Sequence, residues 1–302
     1  GTTHYGKVQN FASATPSMAG KYSVVVETTS CTTIPHEVIL KINTKPTVNP
    51  IAAQTACVGV EKKIAITGVV GKEFTSATTS TDLAENYTWT NDNPSIGLAA
   101  SGTGDIVFTP VNATLLPIVA NIKVTPVGAV SCDGTIVTFS ITVNPTPTTP
   151  TITAATSTSF CTGGSVVLSS SSATGNQWYK DGAIIVGATN QTYTANAAGS
   201  YTIVVTTAGC PSLPSAGTTV MVNALPAVPV ISATAATCDA AGTASINNYT
   251  ATQTYTFSPA GPSVVTGGVI NGMTNGVVYT VSTNNGNCNS APSVGFSIEE
   301  IL

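Results

Sequence analysis

Arginine is missing from this sequence of 302 residues, and charge of either sign is scarce: 9 lysines face 13 Asp and Glu, 7 % of the chain is charged, and the net charge is -4. A nucleic-acid-binding surface needs clustered Lys and Arg to neutralise phosphates, so that class is excluded. Leu occurs nine times, and the Glu, Lys and Arg that fill long helices are rare, which excludes a predominantly helical protein. No stretch of about 20 apolar residues is present, so no transmembrane helix is expected. There are two His and no Cys-x-x-Cys pair, a poor ligand set for a zinc ribbon or a thioredoxin-like motif. G-x-S-x-G, a phosphate-binding loop and H-E-x-x-H are all absent. What the chain does hold is Thr, at 52 positions, within an apolar fraction of 42 % built largely on Val and Ile. That apolar content excludes charge-driven disorder. Its β-branched character points to an all-β protein.

Repeats set the register. A strand-like ending recurs as Leu40-Lys41-Ile42-Asn43, Ile141-Thr142-Val143-Asn144, Val220-Met221-Val222-Asn223 and Phe296-Ser297-Ile298-Glu299. Each alternates apolar and polar residues, the period of a half-buried strand. After Asn43, Asn144 and Asn223 come paired prolines at 46 and 50, 147 and 150, and 226 and 229. Proline cannot donate to a ladder, so these are strand ends and stiff linkers. A second repeat runs Ala19-Gly20-Lys21-Tyr22 and Ala198-Gly199-Ser200-Tyr201, followed at the same offset by Cys31 and Cys210. Four stretches result: 1–45, the C-terminal half of a sandwich; and the full sandwiches 46–146, 147–225 and 226–302. The chain opens inside a repeat, without Met or leader, and reads as part of a longer polypeptide. In 147–224, strands are expected near 150–155, 164–171, 175–180, 190–194, 200–207 and 217–223. In 226–302 they are expected near 229–235, 243–249, 252–258, 263–270, 277–283 and 293–298.

Several of these segments resemble known families. Gln177-Trp178-Tyr179-Lys180-Asp181-Gly182 resembles the third strand and turn of immunoglobulin-like domains, and Gly199-Ser200-Tyr201 the tyrosine corner that opens their sixth strand. Tyr87-Thr88-Trp89 followed by Ser95-Ile96-Gly97-Leu98 resembles the PKD-like repeats of bacterial surface proteins. Segment 252–283 is similar to a third module type found beside these. Tandem mixtures of this kind are typical of the very large surface adhesins of gliding Bacteroidota, exported by the type IX route. The resemblance implies tandem Ig-like and PKD-like β-sandwiches at the cell surface, with an adhesive or stalk-forming, non-catalytic role. Its partners are then other domains of the same polypeptide, with surface glycans or other cell-surface proteins as ligands. The competing reading is a carbohydrate-binding or spacer array on a secreted polysaccharide-degrading enzyme. No cofactor or metal is expected.

Candidate residues follow. Trp89 and Trp178 are expected as core tryptophans rather than sugar platforms, and Tyr22 and Tyr201 as corner residues in the core. Asp92, Asp105 and Asp133 lie too far apart in sequence to suggest one calcium loop, and Asp92 has only Asn91 and Asn93 beside it. His4 and His36 have no repeat counterparts and read as surface residues. Asn86, Asn112, Asn190 and Asn248 open N-x-[ST] triplets that a Thr-rich chain produces by chance. Seven widely spaced cysteines read as structural disulfides made in an oxidising compartment. Counting favours bonds within each stretch, Cys57–Cys132, Cys161–Cys210 and Cys238–Cys288, leaving Cys31 unpaired. Yet in an immunoglobulin sandwich such cysteines lie at opposite poles, which leaves a staggered alternative, Cys57–Cys210 with Cys161–Cys288. The pairing within each stretch is the expectation carried forward.

Overall fold

A computed structural model describes residues 13–82, 86–128, 132–237 and 240–299. The chain is all-β. Among the described residues its helical elements are two single 3-10 turns, Pro16–Met18 and Pro94–Ile96, each opened by a proline whose missing N–H costs nothing there. The chain divides into two compact units. One reaches Pro147 and also takes in Thr207–Cys210; the other comprises Thr148–Thr206 and resumes at Pro211.

In the first unit the main sheet has five strands, in the order Ser101–Thr103, Asn86–Asn91, Ile118–Val127, Val137–Asn144 and Gln54–Cys57. The last pairing is parallel; the others are antiparallel. Strict alternation along Ile118–Val127 buries Ala120, Ile122 and Val124 completely and leaves the residues between them outside. Those side chains join Trp89, Ile96, Ile106, Phe108, Phe139 and Ile141 in one core. The hairpin Gly20–Val24 with His36–Leu40 is different. Tyr22 is 39 % exposed and Val24 61 %, because among the described residues no second sheet covers that face. The expectation that Tyr22 is a core residue is therefore corrected.

The second unit holds two further cores. In the first of them, the sheet Ile152–Ala154, Val166–Ser170, Thr192–Ala195 faces a sheet ordered Ser159–Cys161, Thr218–Asn223, Gly199–Thr207, Asn176–Lys180, Ala183–Ile184. Trp178, Leu168, Tyr201 and Ile203 fill the space between, all essentially inaccessible to solvent. This is the strand order of an immunoglobulin sandwich, including the short edge strand that runs parallel to the last strand. The final core gathers Ile246, Phe257, Ile270 and Val281 from strands Thr243–Ile246, Thr254–Ser258, Val269–Asn271 and Thr280–Asn284, with Tyr279 just before the last of these and Phe296 after it.

Candidate functional site: two cysteine joints

Two disulfides stand out as the chemistry of the chain. Cys57 is bonded to Cys210, with 5.5 Å between their Cα atoms, and Cys161 to Cys288, with 5.8 Å. Both separations fall in the range a disulfide requires. Cys31 and Cys132 carry free thiols, and Cys238 lies outside the described residues. The pairing within each stretch is thus overturned: Cys57 does not bond Cys132, Cys161 does not bond Cys210, and Cys288 is taken by Cys161 rather than Cys238.

Strand direction explains why. Cys57 ends an edge strand and sits opposite Asn144, the last residue of Val137–Asn144. Cys132 lies before that strand begins. Eight residues at about 3.3 Å each put some 25 Å between the two places. The next stretch repeats the arrangement. Cys161 sits opposite Asn223 at the end of Thr218–Asn223, while Cys210 precedes the strand's start.

The two joints share parts beyond the sulfurs. The strand-ending Asn is the residue facing the edge cysteine in both parallel ladders. At the first joint Asn144 Nδ2 donates to the Ala208 carbonyl at 3.0 Å. At the second, Asn285 Nδ2 donates to the carbonyl of Ala224, next to Asn223, at 3.2 Å, and Thr162 N–H donates to the Asn223 carbonyl at 2.9 Å. The hairpin tips are tight turns: Ala208 and Gly209 in one, and Gly286 in the other, have positive φ. The serines that shape these hairpins escaped the sequence reading. Ser212, Ser215, Ser290 and Ser293 are all buried. Each Oγ accepts a backbone N–H from the facing strand, those of Val205, Ile203, Thr283 and Val281, at 3.0–3.1 Å. The signal was in the sequence as a shared formula, Cys-x-Ser-x-Pro-Ser, at 210–215 and 288–293.

The remaining candidates have structural surroundings. Trp178 is wholly buried and donates Nε1–H to the Asn190 carbonyl at 3.0 Å; Trp89 is 6 % exposed. Tyr201 donates its hydroxyl to the Ala197 carbonyl at 2.9 Å, and Tyr22 to the Met18 carbonyl at 2.7 Å, in both cases four residues upstream. Among the described residues Tyr22 is the one exposed aromatic. Asp92 accepts the backbone and side-chain N–H groups of Asn121 at 2.7 and 2.8 Å, and these bonds hold its pKa below the ordinary value. Asp105 accepts the Ile66 N–H at 3.0 Å, 13 residues away from Asp92 in sequence and committed elsewhere. Asp181, turned by a positive φ, accepts the Ser200 N–H and the Lys180 ammonium, which lower its pKa; the same contact raises that of Lys180. Among the described residues no group of three His, Cys, Asp or Glu is placed to hold a metal ion. His36 is exposed in its hairpin, and His4 lies outside the described residues. Asn112 is buried and donates to the Leu116 and Val143 carbonyls, and Asn248 ties down the backbone of Val228 and Val230. Asn86 opens a strand.

No family model matches the chain, and no curated protein matches it. Among solved structures it is similar to murine CEACAM1b, at 13 % identity and a TM-score of 0.32, over 59 % of this chain and all of that one. It is similar to the fibronectin(III)-like modules of Clostridium thermocellum CbhA, at 12 % and 0.32, over 59 % and 94 %. It is similar to the FN1–FN3 domains of chicken CNTN1, at 13 % and 0.33, over 66 % and 74 %. The class is read from the strands themselves: an all-β array of immunoglobulin- and fibronectin-like sandwiches.

Proposed function

We propose that this chain is a non-catalytic stretch of an extracellular stalk belonging to a large bacterial cell-surface adhesin, serving surface attachment or gliding. The observation that carries the reading is the pair of joints: each bonds an edge strand of one stretch to the hairpin of the next. Disulfides in this number belong to an oxidising compartment. A scarcity of charge, buried tryptophans and the spent carboxylates of Asp92 and Asp181 leave little for catalysis to use. The resemblance to adhesins of gliding Bacteroidota supports export by the type IX route and the domain division 1–45, 46–146, 147–225 and 226–302. A glycan-binding array on a secreted enzyme is the weaker reading, since stacking on sugars needs exposed aromatics and Tyr22 is the one described.

The test is surface labelling of intact cells of the source organism, together with retention on insoluble polysaccharides. The stalk reading expects external labelling and no retention. An internal protein with reduced thiols would sink it, and strong retention would favour the glycan-binding array.

A further inference from the structure

Among the described residues two hairpins carry a bonded cysteine, and they are built alike. The residue two positions after the cysteine is clasped by the residue five positions before it. Ser212 N–H donates to the Val205 carbonyl at 2.8 Å, and Val205 N–H donates to Ser212 Oγ at 3.0 Å. Ser290 N–H donates to the Thr283 carbonyl at 2.8 Å, and Thr283 N–H to Ser290 Oγ at 3.0 Å. A third hairpin has the same clasp at the same offsets. Thr33 N–H donates to the Val26 carbonyl at 3.0 Å, and Val26 N–H donates to Thr33 Oγ1 at 2.9 Å, around Cys31. Its turn is closed by Thr28 N–H on the Cys31 carbonyl at 2.9 Å, as Asn285 N–H closes on the Cys288 carbonyl at 3.1 Å. A proline follows four residues after the cysteine in all three, at 35, 214 and 292.

Cys31 is therefore the third copy of a device whose other two copies are filled. Its thiol is free and exposed. In both filled copies the partner is the cysteine that ends an edge strand parallel to a sandwich's last strand, 153 and 127 residues earlier in the chain.

We propose that Cys31 is a covalent docking site for one more sandwich of this kind: it bonds an edge-strand cysteine lying about 127–153 residues before it in a longer polypeptide. The proposal rests on the stalk reading for that longer polypeptide. Two thiols become one disulfide, giving up two electrons and two protons. The acceptor is a protein disulfide of an export-compartment thiol oxidoreductase, which leaves as a dithiol. Cys31 first forms a mixed disulfide with it, and the partner thiolate then displaces the enzyme.

The experiment is non-reducing peptide mapping after alkylation, on the full-length protein from its source and on this 302-residue chain produced alone. In the isolated chain Cys31 should be alkylated under native conditions, whereas Cys57, Cys161, Cys210 and Cys288 should label only after reduction. In the full-length protein native labelling of Cys31 should be lost, and its peptide recovered joined to one upstream cysteine of the same polypeptide. Labelling of Cys31 in both samples would overturn the proposal. So would a bridge to Cys132 or Cys238, to a small thiol, or to a second copy of the chain. Surface labelling separates this from the stalk reading: an internal protein with the upstream bridge intact refutes the stalk alone, and an external one with a free Cys31 refutes the docking site alone.

Discussion

The two disulfide loops overlap, and overlapping loops hide chain length in a way that independent loops do not. Cys161 lies inside the loop closed by Cys57 and Cys210, and Cys210 inside the loop closed by Cys161 and Cys288. Suppose the chain is pulled from its ends until every sandwich has unfolded. With both bonds intact the shortest covalent route from Cys57 to Cys288 crosses one bridge, runs backwards from Cys210 to Cys161 over about 50 residues, and crosses the other bridge. Removing the first bond by Cys57→Ser lengthens that route to about 105 residues; removing the second by Cys161→Ser gives about 80. Removing both gives about 230. At ~3.4 Å per residue the gains in contour length are about 190 Å, 100 Å and 620 Å. The double gain is about twice the sum of the single ones. Optical-tweezer or atomic-force extension of the chain, with handles at its ends, measures each value. Cys210→Ser should match Cys57→Ser, because both break the same bond. Additive gains, or a Cys210→Ser trace that matches Cys161→Ser instead, would refute the staggered pairing.

Other expectations follow from single side chains. Gly102 lies against the ring of Trp89, where an added Cβ would sit 2.7 and 2.8 Å from Cε2 and Cη2, so Gly102→Ala should destabilise by about 1–3 kcal/mol in urea melts. Tyr201→Phe removes the hydrogen bond to the Ala197 carbonyl and should cost about 0.5–1.5 kcal/mol, read from the shift in denaturation midpoint; an unchanged midpoint would deny that bond a role. Asp92 has a folded pKa below its unfolded value, so its contribution is present above about pH 4 and is lost as pH falls through the lower folded value. Urea midpoints measured between pH 6 and pH 2 should show part of the acid loss disappearing in Asp92→Asn, and identical slopes would count against the Asn121 contacts.

Much of the architecture is legible in the sequence. Alternation in Gly199–Thr207 and Thr218–Asn223 marked those strands to within a residue or two, because one face of each is buried and the other is not. The common offset from Ala19 to Cys31 and from Ala198 to Cys210 reappears as the same hydrogen-bonded clasp. The edge strand Ser159–Cys161 was not foreseen: three half-buried residues carry no period. The cysteine pairing carried forward rests on counting, against the opposite poles that immunoglobulin topology implies. Loop-closure entropy varies only with the logarithm of loop length, so counting cannot choose between short and long loops. The parallel edge strands put the cysteines of each stretch at the opposite poles that topology implies. The strand expected at 263–270 folds as a hairpin instead, Ser263–Val264 against Val269–Asn271, turned at Gly267 and Gly268, whose φ is positive. The strand expected at 293–298 is broken up for another reason. Ser290 and Ser293 side chains take the N–H groups a ladder would have used, and Phe296 keeps a single bridge to Tyr279.

The backward reach of each hairpin has a consequence for biosynthesis. A sandwich of this type cannot complete its own oxidation, because its edge thiol waits for a residue in the stretch made after it. Cys57 must remain reduced while 153 further residues are made. Within that interval the correct partner does not yet exist, and Cys132 is the first thiol made after Cys57. Folding of the first sandwich is what guards against the wrong bond, by carrying the two thiols to opposite ends of strand Val137–Asn144 before an oxidant can join them. Maturation then proceeds in one direction, each newly folded hairpin sealing the stretch before it.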